Sequence, residues 1–157
     1  MTTMPFVTLT LIVALGVGVA AQSASVEIPP DLRALLGRSK LSGPIATWCG
    51  APLRAGEPRA FALALMSADG GRYVILDAES RVRALARYRG QPDLSCYTRA
   101  EAEKLQRTIQ QSDTIHGQIA PRFSTTVICG FVEDTTAECW QYSPANQMFV
   151  KIGGWTT

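Results

Sequence analysis

The sequence predicts a disulfide-stabilised α+β fold: one antiparallel sheet of about six strands in the order meander–helix–meander, with one main helix packed on a single face. Three observations lead there. Runs of alternating large and small or apolar and polar residues are punctuated by glycine, proline and aspartate. One well-capped amphipathic helix separates two groups of such runs. Four cysteines follow an uncharged N-terminal stretch.

That stretch, residues 4–21, ends in Val19-Ala20-Ala21, and the first charged side chain is Glu27. It reads as a secretory signal peptide cut after Ala21, dividing the chain into a signal (residues 1–21) and a single α+β domain (residues 22–157). No basic stop-transfer cluster follows, so no membrane span is expected after cleavage. Cys49, Cys96, Cys129 and Cys139 are even in number, as disulfide pairing in an oxidising compartment requires. There is no C-x-x-C spacing and only one histidine, so neither a metal nor another cofactor is expected.

From the N-terminal side, Pro29-Pro30-Asp31 opens a short helix over residues 32–36, stopped by Gly37. Residues 38–59, rich in glycine and proline, read as a loop around Cys49. Residues 60–67 alternate Phe61, Leu63 and Leu65 with smaller side chains and form a strand. Asp69-Gly70-Gly71 supplies a hairpin turn, followed by strands over residues 72–78 and 81–88. A three-residue loop, 78–80, places Val82, Ala84, Ala86 and Tyr88 on the apolar face. The opposite face then carries Tyr73, Ile75, Asp77, Arg81, Arg83, Leu85, Arg87 and Arg89. A loop one residue longer would bury Arg83 and Arg87 at a cost of several kcal/mol.

Residues 90–96 read as a loop. Thr98 and Glu101 form a capping box for a helix over residues 99–112, with Ala102, Leu105 and Ile109 on its apolar face. Arg99–Glu103 and Glu103–Arg107 have ion-pair spacing on its outer side. Residues 113–119 form an irregular strand, and three more strands cover 123–132, 136–142 and 148–152, the last two joined by a turn at 143–146. A hairpin centred on Asp134 sets Cys129 opposite Cys139 and Ile128 opposite Trp140. Of the three possible connectivities, this register favours Cys129–Cys139 with Cys49–Cys96.

A net charge of +2 is too small to mark a nucleic-acid protein by itself. The most specific feature is the stripe Arg81, Arg83, Arg87 and Arg89 beside Tyr73, a candidate ligand-binding face for an anionic polymer. The same stripe also fits a charged strand edge that prevents aggregation. Trp48 and Trp140 adjoin cysteines and belong in a core, whereas Trp155, after Gly153-Gly154, is the tryptophan most open to solvent. Glu133, Asp134 and Glu138 cluster near a hairpin tip, where acidic residues serve solubility more often than glycoside hydrolysis.

These features favour a small exported binding module, secreted or periplasmic, over an enzyme. Its partner would be an anionic polymer or an extracytoplasmic protein. The alternative is a small secreted hydrolase using His116 with an acidic partner such as Asp113, although no G-x-S-x-G motif is present. An inhibitor presenting the segment 43–58 as a disulfide-braced loop is a third reading.

Overall fold

The computed structural model describes residues 25–54 and 56–157. The expected signal peptide, residues 1–21, lies outside them. The described chain is mostly sheet, and it forms two antiparallel sheets in place of the single sheet expected. The first contains β1 (Ile45–Pro52), β2 (Arg59–Ser67), β3 (Gly70–Leu76) and β4 (Val82–Tyr88) in that order. The second contains β5 (Leu94–Tyr97), β6 (His116–Ile119), β7 (Val127–Glu133), β8 (Thr136–Ser143) and β9 (Met148–Thr156), ordered β5-β7-β8-β9-β6. Helix α1 (Pro30–Arg38) covers the outer face of the first sheet, and α2 (Arg99–Gln110) that of the second.

The faces follow from side-chain alternation. Ala60, Ala62 and Ala64 of β2, with Tyr73 and Ile75 of β3, meet Ile128, Trp140 and Tyr142 of the second sheet in a shared inner core. The alternate residues Phe61, Leu63, Leu65, Val74 and Leu76 point outward against Leu32 and Leu35 of α1. On the far side, Val127, Cys129, Cys139 and Ile152 meet Ala102 and Ile109 of α2. The sequence missed this because the small alanines of β2 read as a solvent face. They are the side chains that let a second sheet approach.

Two segments read as loops are strands. β1 lies within the stretch 38–59 and pairs with β2 from Ile45↔Leu65 to Pro52↔Arg59. It tolerates proline because Pro52 closes an edge strand, where no ladder donor is needed. β5 begins at Leu94 in the stretch 90–96, runs on to Tyr97 and pairs with β7. Helix α1 runs past Gly37 to Arg38, because Leu32 and Leu35 dock on the sheet and outweigh the entropic cost of one helical glycine.

Other expectations are met. The disulfides are Cys49–Cys96 and Cys129–Cys139, and no described cysteine is free. Cys129 stands opposite Cys139 and Ile128 opposite Trp140. Thr98 caps α2: its hydroxyl accepts from Glu101 N–H while the Glu101 carboxylate accepts from Thr98 N–H at 2.7 Å. The Thr98 backbone N–H first, and then the Thr98 hydroxyl donating to the same carboxylate at 2.9 Å, hold the Glu101 carboxyl below its ordinary pKa. Glu103 pairs with Arg99 at 2.9 Å. Among the described residues, no helix is long and apolar enough to cross a membrane.

The two sheets are joined at both flanks. Cys49–Cys96 ties β1 to β5. At the other flank, Arg89 N–H donates to the Val132 carbonyl at 2.8 Å, next to the end of β4. Between them the Tyr73 hydroxyl crosses the core and donates to the Phe131 carbonyl at 2.6 Å. Gly130 makes room for that crossing, since a Cβ there would stand 2.8 Å from the Tyr73 ring.

Candidate functional site

The arginine stripe is divided by a β-bulge. Along β3 and β4 the register runs Leu76↔Val82, Ile75↔Arg83 and Val74↔Ala84, then shifts to Tyr73↔Ala86, leaving Leu85 as the extra residue. The expected three-residue connection is present, with Asp77 N–H bonded to the Arg81 carbonyl and Ser80 in the left-handed region at φ 63°. Beyond the bulge the faces exchange. Arg83 shares the side of Ile75, whereas Arg87 pairs with Arg72 on the opposite side.

The bulge is explained by what it buries. It turns Tyr88 into the inner core, where its ring stacks on Tyr73 with centroids 4.6 Å apart. The Tyr88 hydroxyl donates to the Leu65 carbonyl at 3.1 Å. An unbroken register would have left this ring on the Val82 side. Tyr73, placed beside the arginines by the sequence reading, is instead fully buried (0% exposed). Its hydroxyl is engaged across the sheets, and burial pushes its pKa up to about 12. A contiguous site of Arg81, Arg83, Arg87, Arg89 and Tyr73 therefore does not form.

The divided arginines line two concavities. The first, about 550 Å³, contains Arg54, Arg81 and Arg83 with Glu57, Asp77, Glu79 and Tyr142. Its cations have partners. Asp77, with a side chain only 9% exposed, accepts Arg81 Nε at 2.8 Å and the backbone N–H groups of Glu79 and Arg81 at 2.9 Å each. Arg81 also pairs with Glu79 at 2.9 Å. The hydrogen bond to Asp77, followed by the charge of Asp77, raises the Arg81 pKa above its ordinary value. Arg83 Nη1 donates to the Gln147 carbonyl at 2.7 Å.

The second concavity, about 770 Å³, is lined by Arg72, Arg87 and Arg89 together with Ser42, Met66, Ser67, Asp69 and Glu133. Arg72 and Arg87 stand directly opposite each other on adjacent strands. Asp69 and Glu133 line the same hollow, yet among the described residues no carboxylate forms an ion pair with any of the three guanidiniums. Like charges opposed across a ladder are destabilising. Arg72 and Arg54 had not been singled out in the sequence. Arg72 was legible in principle, since it directly follows the hairpin glycines and the return strand also carries arginine.

His116 begins β6 as an exposed residue, and its carbonyl accepts the Thr156 hydroxyl at 3.3 Å. Asp113 is exposed in the preceding turn. No ion pair among the described residues joins His116 to Asp113 or to any other carboxylate, and neither residue lines the two concavities. Glu138 is bound to Lys151 at 2.5 Å. Trp140 is buried and Trp48 half-buried, as core roles require. Trp155 is also half-buried, edge-on to Phe131 at 6.0 Å, because β9 continues past Gly153-Gly154 and carries it into the sheet. Half of the segment 43–58, read as a presented loop, is β1 (Ile45–Pro52). Among the described residues, no group of three or more histidine, cysteine or carboxylate side chains could hold a metal ion. No protein-family model, curated protein or solved structure matches the chain.

Proposed function

We propose that the protein is a small extracytoplasmic binding module that holds an anionic polymer through Arg72, Arg87 and Arg89. The observation that carries this reading is the Arg72–Arg87 pair: two guanidiniums opposed across a ladder, without an ion-pair partner among the described residues, in a hollow of about 770 Å³. Such an arrangement costs stability in the free protein, by roughly 0.2–1 kcal/mol. A bound sulfate, phosphate or carboxylate group removes the repulsion and satisfies both forks. Arg89 extends the positive surface along the same hollow.

Export is part of the proposal. The uncharged run over residues 4–21 and its small-residue end have the form of a cleaved signal, and paired cysteines persist in oxidising compartments. Among polymers outside the cytoplasm, anionic polysaccharides carry the sulfate and carboxylate groups that suit paired guanidiniums.

Retention on immobilised heparin tests the reading. The wild-type protein should bind at low salt, and its log affinity should fall with log salt with a slope of about −2 to −3 if all three guanidiniums engage. Arg72→Ser with Arg87→Ser should abolish retention, while Arg99→Ser with Arg107→Ser on α2 should not. Equal retention of the two double variants, or insensitivity to salt, would remove the proposal. A parallel column of single-stranded DNA separates a general polyanion site from one fitted to sulfated sugars.

A further inference from the structure

The first concavity contains an unmet demand of another kind. Tyr142 lies between two guanidiniums, with Arg54 5.5 Å and Arg83 5.9 Å from its ring centroid. Each is tethered to the β8–β9 turn by one terminal nitrogen: Arg83 Nη1 to the Gln147 carbonyl at 2.7 Å and Arg54 Nη2 to the Pro144 carbonyl at 3.4 Å. Both Nε atoms are buried and, among the described residues, without a hydrogen-bond partner. The nearest carboxylates are too distant for one: Glu57 Oε1 at 3.6 Å from Arg54 Nε and Asp77 Oδ2 at 3.9 Å from Arg83 Nε.

We infer that this concavity receives the terminal carboxylate of a short zwitterionic peptide, with Arg54 and Arg83 as its clamp. Guanidinium forks match a carboxylate in shape and charge, and a buried donor without an acceptor favours any conformation that supplies one. The side chains of Arg54 and Arg83 are still 41% and 28% exposed. A carboxylate can therefore draw both groups outward from the ring and engage the Nε atoms now covered.

The surrounding charge decides against a polyanion. Arg54, Arg81 and Arg83 are balanced by Glu57, Asp77 and Glu79, and Arg81 is already committed to two of those carboxylates. A ligand that carries an ammonium as well as a carboxylate meets no net repulsion and finds Glu57, which Arg54 approaches only at 3.6 Å, for its positive end. Leu53, Pro58 and Ala60 supply apolar wall for small side chains. A volume near 550 Å³ is of the size that peptide-sized ligands fill.

Arginine Nε–H groups give their own signals in nitrogen-edited NMR spectra, so the test reads the clamp directly. Trialanine is titrated against the intact protein, and its C-terminal amide is titrated in parallel. Trialanine should move the Arg54 and Arg83 Nε–H signals saturably, with the amide at least roughly tenfold weaker because it lacks the carboxylate. Arg83→Lys keeps the charge but removes the fork and should weaken trialanine binding by a similar factor. If that variant is unstable, the comparison of acid with amide on the wild-type protein decides alone. Signals that do not saturate up to millimolar peptide, or an amide as effective as the acid, would overturn the inference. Different arginines line the second hollow, so failure here leaves the heparin result untouched.

Discussion

The two arginine clusters are supplied partly by the same strand, yet they have opposite electrostatic characters. Around Asp77 the cations are matched: Arg81 closes on two carboxylates, and Arg83 is held to the neighbouring turn. Across the bulge, Arg72 and Arg87 face each other on adjacent strands, and among the described residues neither has an ion-pair partner. One extra residue, Leu85, produces this difference, because it sends Arg83 and Arg87 to opposite sides of the sheet. A matched cluster contributes to folding and attracts polyanions weakly, whereas an unmatched one gives up stability and gains affinity.

The sharpest way to break this contrast is Asp77→Ala. It strands two backbone N–H groups and removes the buried counter-charge of Arg81, so unfolding in urea should show a loss of about 2–4 kcal/mol. The same variant should bind heparin more strongly, because the matched cluster acquires net positive charge. If Asp77 acted as a solvated surface charge, the loss would stay within about 0.5 kcal/mol.

Tyr73 lies at the register shift that divides the clusters, and Tyr73→Phe removes its cross-sheet donor. The expected cost is about 1–3 kcal/mol, again from urea unfolding. In the wild-type protein the phenol titrates near 10 when unfolded and is pushed up to about 12 when folded. The folded state therefore retains a proton that the unfolded state loses. This contribution is complete below about pH 10 and falls as pH rises from about 10 to 12. Tyr73→Phe should flatten that part of the pH–stability curve, and an unchanged alkaline limb would show that the hydroxyl is not the titrating group.

The smallest effect has an inverted sign. Arg87→Glu converts the opposed guanidiniums into an ion pair, so stability should rise by about 0.2–1 kcal/mol while heparin retention disappears. Thermal melting and the column read the two outcomes separately. A variant that is both less stable and still retained would deny the unmatched cluster either role.

Much of the local order was legible in the sequence because it depends on short-range chemistry. Opposed cysteines and the Ile128–Trp140 pair fixed the β7–β8 register, and Thr98 with Glu101 fixed the start of α2. The three-residue loop at 78–80 followed from the cost of burying arginine. The bulge did not, because Ala84, Leu85 and Ala86 are all acceptable inside, so alternation carries no sign of where the faces exchange. The second sheet was hidden for a related reason: the alanines of β2 are informative only once Trp140 and Tyr142 lie against them. The candidate site inherits both omissions, since Arg81, Arg83, Arg87 and Arg89 are assigned by the sequence to one face, and Arg72 and Arg54 join them only through the fold.

The disulfide between Cys49 and Cys96 spans 47 residues of sequence, and every arginine of both concavities falls inside that interval. Topologically, the cationic surface belongs to a covalent ring. A protease that cuts once between these cysteines, for instance in the connection between β1 and β2, produces two chains but releases neither. The severed ends remain parts of one molecule, and the strands carrying Arg72, Arg83 and Arg87 stay tied to the second sheet. Wherever a protease reaches this segment, the bridge provides continuity of the cationic surface after a break in the backbone, independently of what it adds to folding.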